Sequence, residues 1–493
     1  MIDNDHNQSL TQQEGSVSQA SDSGGSGAGK GVTIVIDLGK TLSKVSLWSR
    51  DGQMLDRQTR PNAPVMIECL ARLDVEGIGA WLIGALARYA GHPVERIVPV
   101  GHGAGVVALR DGRIALPPLD YEQPIPETML ADYRAARDAF ALTGSPALPA
   151  GLNFGSQLWW LHQCYPEQMA GTTLLPWAQY WAWFLTGRAV SEVTSLGCHS
   201  DLWCPQASDF APAAKRLGWA ERFAPLARAG DIVGPITEAI SDATGLPRTT
   251  QVLVGLHDSN AALMAARGFA EIADHEATML STGTWFIAMR LPAQPVDTSS
   301  LPEARDCLVN IDVAGRAVPS ARFMGGREIE TLIGNDTRRV DIKPDQPALL
   351  GAVPEALADR RMILPTLAPG CGPFPDGTFG WVNKPEDWYC RRAVACLYAA
   401  LVADTALDLI GSNDRLLVEG RFAEAEVFVR ALAALRPDTA VYTANAHNDV
   451  SFGALRLIDP ALRPQSELTR VVPIEGDLEG YRAAWSNELE QRA

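Results

Sequence analysis

At 493 residues the chain exceeds what one ordinary core organises, so two domains of roughly 200 to 250 residues are expected. Apolar residues make up 46% and charged residues 20%, the balance of a soluble globular protein, and a net charge of −16 lacks the basic footprint that nucleic acid or an anionic membrane requires. Eight cysteines are scattered without a C-x-x-C pair, which excludes a disulfide framework or a zinc site and points to reduced thiols in a cytoplasmic protein.

The first 30 residues, rich in Ser, Gly, Gln and Asp, read as a disordered tail and carry no secretory signal. Gly24 to Lys30 matches the opening of a G-x-x-x-x-G-K-[ST] phosphate loop, but Gly31 stands where the hydroxyl residue belongs, and the strand follows the glycines instead of preceding them. Gly39-Lys40-Thr41 fails the same pattern, because Ile34 occupies the first glycine position. VTIVIDL (32–38) and KVSLWSR (44–50) are predicted strands around Gly39, closed by an Asp51-Gly52 turn. ERIVPV, the corner GHGAG and VVALR repeat that texture from 95 to 110. Residues 150–190 read as helical and aromatic-rich. Within them Gln168 to Gly187 carries Gln168, Thr172, Thr173, Pro176 and Gln179, which suits a buried segment and not a membrane span. QVLVG (251–255) is a buried strand, and DSNAALMAA (258–266) is the helix after it. ATMLS (277–281) turns at Thr282-Gly283-Thr284 into WFIAMRL. Last come DRLLVEG as a strand, AEAEVFVRALAAL as a helix, TAVYT as a strand and DVSFGALRLI as a helix. A strand, a glycine-hydroxyl turn and a return strand thus occur twice, starting at 32 and 277. Two α/β halves with a cleft between them, divided near 245–255, follow from that recurrence.

Glycine in each turn lets backbone N–H groups approach an anion, and Thr41, Thr282 and Thr284 add hydroxyls. Asp37 at the end of its strand suits Mg²⁺, which takes one or two carboxylates with phosphate oxygens and water. Each turn is also readable as an ordinary hairpin with an acid bracing it. Asp258, opening a helix, is either an N-cap or a general base aimed into the cleft, where helix polarity favours its ionised form. His257 reads as a packing or orienting residue, since no metal-spaced partner accompanies it. His102 invites an oxyanion-hole reading, but no G-x-S-x-G elbow exists in the chain, so a sugar contact or a turn-bracing role remains. Trp159, Trp160, Trp181 and Trp183 suit either a sugar ring or the core.

Four segments, in order, resemble the FGGY carbohydrate kinases of the actin/hexokinase-like superfamily. IDLGKTLSK (36–44) is similar to the first phosphate motif and LPWAQYWAWFLTGRAVSEVTS (175–195) to the middle signature. VGLHDSNAAL (254–263) is similar to the catalytic-Asp segment and LSTGTW (280–285) to the second phosphate motif. The resemblance runs from about 32 to 460. In GLHDSNAA, STGTW, NFGSQLWWL and MGGREIETLIG it lies nearest the rhamnulokinase and fuculokinase branch.

The resemblance implies two ribonuclease-H-like domains closing over ATP and a sugar: tail 1–30, an N-terminal domain 31–250, a C-terminal domain 251–470 and an extension 471–493. It implies Asp258 as general base, with Asp37 and Asp258 toward Mg²⁺. Gly39, Lys40, Thr41, Lys44, Ser281, Thr282, Gly283, Thr284, Gly420 and Arg421 fall to the nucleotide, and His102, Asn153, Gln157, His257 and Asp258 to the sugar, with 120–122 near the same pocket. Two positions depart from the family pattern: Lys40 replaces a threonine, and Glu419 precedes Gly420 where a Gly-Gly pair is usual. The expected activity is ATP-dependent phosphorylation of a ketose such as a deoxy-ketohexose or pentulose. The alternatives are a polyol kinase of the family or a catalytically weak sugar-binding or regulatory protein. A homodimer is a common outcome for such soluble enzymes.

Overall fold

The computed structural model describes residues 31–334, 342–444 and 450–492. The expected tail 1–30 and Asp449 of the last expected helix lie outside the described residues. One mixed sheet is built from β1 (Val32–Leu38), β2 (Leu42–Trp48), β3 (Met54–Pro61), β4 (Val94–Gly101), β5 (Ile232–Pro235) and β6 (Gln251–Leu253), in spatial order β3-β2-β1-β4-β6-β5. The short β7 (Leu256–His257) also pairs with β4. The second sheet comprises β8 (Ala277–Thr282), β9 (Phe286–Leu291), β10 (Cys307–Ile311), β11 (Ala317–Phe323), β12 (Arg415–Gly420), β13 (Ala440–Ala444) and β14 (Leu468–Arg470), in order β10-β11-β9-β8-β12-β13-β14. In the first sheet β1 is antiparallel to β2 and β2 to β3, while β1 runs parallel to β4 and β4 to β6; in the second β8 is antiparallel to β9 and β9 to β11, while β8 runs parallel to β12 and β12 to β13. The two α/β halves expected from the repeated strand-turn-strand pattern are therefore present, and each has the ribonuclease-H-like plan implied by the family resemblance. The central strands VTIVIDL and ATMLST are apolar on both faces because both faces of each sheet are covered.

One face of the first sheet is covered by α1 (Trp177–Thr186), which contributes Trp177, Tyr180, Trp181 and Leu185 to the core. A strand, Thr173–Pro176, precedes α1 inside the segment expected to be helical. Helix α2 (Asp258–Ala266) is buried nearly all round. Ala261 and Ala265 face Val35, Val98 and Val100 of the first sheet, whereas Ala262, Leu263 and Ala266 face Met279, Met289 and Leu417 of the second. The core of the second half is organised by α3 (Trp388–Leu409), and α4 (Val450–Leu455) lies on α2. Helix α5 (Leu478–Arg492) buries Tyr481 and Trp485 in that second core, with the Trp485 indole donating to Ile363 O at 2.7 Å. Near the division expected around 245–255, β6 and β7 pair with β4, so the first sheet extends through His257 and α2 follows it. Local sequence could not reveal this, because strand partnership is a long-range property. Among the described residues no helix is long and apolar enough to cross a membrane.

Candidate active site

Register brings the first group of residues together. β1, β4 and β7 are adjacent parallel strands, and Leu38 and His257 are both partners of Gly101. The three strands end at one level, so Gly39, His102 and Asp258 emerge side by side at a carboxyl edge, the place where open α/β sheets hold ligands. On the second sheet Thr282 of β8 is level with Gly420 of β12, which sets the turn 283–285 beside Arg421.

The turn after β1 is closed by Gly39 N–H to Leu42 O (3.1 Å) and braced by Asn62, whose amide donates to Gly39 O (2.8 Å) and whose N–H donates to Thr41 O (2.8 Å). Asp37 is buried beside it and accepts from Lys44 Nζ at 2.9 Å, its cross-strand partner. Thr41 is exposed. Lys40 turns away from the turn itself: its ammonium donates to Asp120, lies 3.5 Å from Glu122 and sits 4.6 Å from the centre of the Tyr121 ring. Among the described residues no group of three or more His, Cys, Asp or Glu is arranged for a metal. Asp37 supplies a single carboxylate, which fits Mg²⁺ bound chiefly through phosphate and water.

Asp258 opens α2 with about a third of its side chain exposed (31%), and its Oδ1 lies 3.1 Å from His257 Nε2. Burial by the surrounding protein pushes the carboxyl above the usual range, against the pull of His102, of the Ser259 backbone and hydroxyl, and of Lys44. Burial also lowers His102, and it lowers His257 to about 4, so the His257 ring is neutral at pH 7. An ionised carboxylate only accepts, which assigns the ring proton to Nε2, donating to Asp258 Oδ1, to which the Ser259 hydroxyl also donates at 3.3 Å. Nδ1 of His257 is buried with no partner. Behind this pair stands a chain of hydrogen bonds. His257 N–H donates to Thr194 Oγ1 (3.0 Å), and Thr194 Oγ1–H donates to the buried Glu192 (2.5 Å). Cys198 Sγ lies 3.4 Å from His257 Nε2, and burial raises its thiol pKa, which rules it out as a thiolate nucleophile.

His102 is buried, with Nδ1 2.6 Å from Gly103 O and its ring edge-on to Tyr121 at 5.4 Å and tilted on Trp177 at 5.5 Å. Two expected sugar contacts are redirected. Asn153 is only 2% exposed; its amide N–H groups are directed at Ser145, Pro146, His199 and Asp201, and its oxygen accepts from Leu148, so its hydrogen-bonding capacity ties two loops together. Gln157 is fully buried, donates to Ala104 O (2.7 Å) and Gly151 O (2.5 Å), and keeps an unpartnered Oε1. Trp160 and Trp181 are core residues, as one of their two readings held.

In the second half, Thr282 is fully buried and its hydroxyl joins β8 to Glu419 O and Phe422 N, so it shapes the corner and presents no side chain to a ligand. Ser281 and Thr284 are half-buried, and Gly283 closes the turn through Trp285 O (3.0 Å). Gly420 has φ +89°, and a Cβ there would lie 2.6 Å from Thr282 O, which explains glycine at that position. Arg421 pairs with Glu330 at 3.0 Å. Arg322, which the sequence reading missed, stacks on Trp285 at 4.9 Å, pairs with Asp306 at 2.9 Å, and acts on the Cys198 thiol and His199 across the junction. Asn62 and Cys198 were likewise absent from the expected site residues, their partners being distant in sequence, whereas Tyr121 lies in the 120–122 stretch expected near the pocket and Glu192 and Thr194 lie inside the middle signature.

A family profile described as "Carbohydrate kinase FGGY, C-terminal domain" matches residues 274–466. The crystal structure of a carbohydrate kinase from Novosphingobium aromaticivorans is 73% identical, covers 94% of this chain and 99% of its own, and superposes with a TM-score of 0.92. A gluconate kinase from Lactobacillus acidophilus (14% identity, 94% and 96% coverage, TM-score 0.76) and a xylulose kinase from Rhodospirillum rubrum (17%, 93% and 98%, 0.76) share the fold. No curated protein sequence matches the chain.

Proposed function

The chain belongs to the FGGY carbohydrate kinase family, and from that premise we propose that it transfers the γ-phosphate of ATP to a hydroxyl of a ketose, with Asp258 as general base. The observation that carries this reading is the Asp258 carboxylate at the carboxyl edge of the sheet, with Oδ1 held by His257 and by the Ser259 hydroxyl. Oδ2 accepts the proton of the acceptor hydroxyl as that oxygen attacks phosphorus. Burial strengthens the carboxylate as a base by disfavouring its charge, while His102, the Ser259 hydrogen bonds and Lys44 draw it back toward the ionised form. His257, neutral, fixes Oδ1 and releases no proton. Asp37, Lys44 and the N–H groups of the turn at Gly39 hold the phosphate side from the first half; Ser281, Gly283 and Thr284 hold it from the second. Asp37 would carry Mg²⁺, which when bound neutralises charge on the transferring phosphoryl oxygens. The remaining work is positioning and exclusion of water, as in phosphoryl transfer generally. His102 and Tyr121, which share a face with Asp258, form the sugar wall, and the motifs of the rhamnulokinase and fuculokinase branch favour a deoxy-ketohexose or a pentulose.

The test is an ADP-coupled assay over a panel of ketoses, polyols and aldonates. Sugar-stimulated ADP formation is expected with at least one ketose, and none across the panel removes the reading. Asp258→Asn is expected to lower kcat by roughly 10²- to 10⁴-fold while leaving MgADP affinity intact. Near-normal turnover by that variant would dismiss the base assignment alone.

A further inference from the structure

We propose that Lys40, although it lies on the first phosphate turn, serves the acceptor side of the site: it positions Tyr121 against the recess of Asp258 and is not a phosphate ligand. The inference rests on the kinase reading above and assigns a residue within that same site. Lys40 follows Gly39 directly, so a cation there looks like one more phosphate contact. Its surroundings say otherwise. The ammonium donates to Asp120, a carboxylate only 2% exposed, has Glu122 at 3.5 Å, and lies 4.6 Å from the Tyr121 ring centre. All three partners belong to one short segment, and its two carboxylates more than balance the single positive charge. The Lys40 side chain itself is 14% exposed, so little of it remains for a phosphate.

The segment it grips borders the reacting group. The Tyr121 ring meets His102 edge-on at 5.4 Å, and its hydroxyl is pushed up by burial and then by the carboxylates of Glu122, Asp258 and Asp120. Asp120 Oδ1 accepts from Glu122 N–H at 2.8 Å, and Asp120 N–H donates to Ala71 O at 3.0 Å, so the segment is held at its base while Lys40 fixes its tip. A cation over an aromatic face is drawn to the ring's electron-rich face, and the attraction is directional. Without the ammonium, Asp120 is a buried, uncompensated carboxylate, and the segment must shift to hydrate it. The wall would then move away from Asp258, whereas the backbone N–H groups of the turn, fixed by Asn62, would stay in place.

The test compares Lys40→Met, which keeps the length and loses the charge, with Lys40→Arg, which keeps the charge. MgADP binding is followed by calorimetry, and acceptor kinetics with the panel compound that the unmodified protein turns over fastest. Lys40→Met is expected to raise the acceptor KM tenfold or more with MgADP Kd within twofold, and Lys40→Arg to recover most of the acceptor affinity. Asp120→Asn, which breaks the pair from its other side, is expected to reproduce the pattern and serves if Lys40→Met does not fold. A tenfold loss of MgADP affinity with an unchanged acceptor KM would make Lys40 a phosphate ligand and overturn the proposal, as would no change in either quantity. The MgADP arm decides between phosphate and wall even when no panel compound is a substrate, so failure of the kinase reading and failure of this proposal remain separable.

Discussion

Thr194 is the sharpest point at which to perturb the site without touching it. The side chain is fully buried, so Thr194→Val replaces a hydroxyl by a methyl of similar size and leaves no cavity. It removes two hydrogen bonds at once: the one from Thr194 Oγ1 to Glu192 at 2.5 Å, and the one from His257 N–H to Thr194 Oγ1 at 3.0 Å. A buried group deprived of its partner costs about 1–3 kcal/mol, and here one acceptor is a carboxylate, so a loss of about 2–5 kcal/mol of stability is expected. Without its hydroxyl donor Glu192 protonates more readily, and the penalty should grow above pH 7. Thr194→Ser keeps both bonds and loses one methyl, for about 1 kcal/mol. Urea unfolding of the two variants at a single pH gives the comparison. Because His257 precedes Asp258, the released backbone should also misplace the base, and kcat should fall tenfold or more in the valine variant relative to the serine variant; an error of 1 Å can cost about 10². A valine variant within 1 kcal/mol of the serine variant, with equal turnover, would show that the Glu192–Thr194–His257 chain does not hold the base.

Three further outcomes are expected. Glu192 is buried and its carboxyl is raised from 4.5 to about 7, so the folded state holds the extra proton between those values. Stability is fully present below the lower value and falls as pH rises through 7, by about 3 kcal/mol relative to Glu192→Gln; parallel stability curves for the two proteins between pH 5 and 8 would contradict this. Since burial raises Asp258, the acid limb of kcat/KM should fall at a higher pH than the ordinary carboxylate value of about 3.9, and a limb at or below that value would speak against a desolvated base. At Gly453 an added Cβ would lie 1.8 Å from Ala261 O, a backbone atom that cannot swing aside, so Gly453→Ala should separate α4 from α2 and cost about 1–3 kcal/mol or more; an unchanged urea midpoint would refute that contact.

What the sequence made legible was local. VTIVIDL, ATMLS and DSNAALMAA carry their structure in composition and spacing, and they fold as expected. The recurrence of strand, glycine turn and strand at 32 and 277 was enough to anticipate two matched sheets. The 22-residue α3 was overlooked because its buried residues run round the whole helix, leaving no polar face for a period of 3.6 to reveal. Asn153 and Gln157 show a different limit. An amide in an N-F-G-S-Q run shows its capacity for hydrogen bonds, and not which groups will satisfy them, and here the loops at 104, 145–151 and 199–201 do so. Lys40 shows the same limit: adjacent to Gly39, it finds its partner at Asp120, far along the chain.

Register explains why the activity class was easier to read than the substrate. Asp37 in β1 is level with Val100 in β4, and the matching positions in the second sheet, Ser281 and Glu419, reverse the placement of the acid from the central strand to its neighbour. The two halves thus offer equivalent backbone turns with different side chains at equivalent levels. Phosphate is recognised largely by the turns, whose N–H groups are fixed by strand pairing whatever the side chains are. A sugar is recognised by which hydroxyl meets which side chain, and the side chains beside Asp258, His102 and Tyr121 among them, come from loops whose course strand pairing does not set. A glycine turn at the end of a paired strand therefore carries its meaning in the local sequence, while the acceptor wall acquires its meaning only when segments near 40, 102, 121 and 258 are folded together.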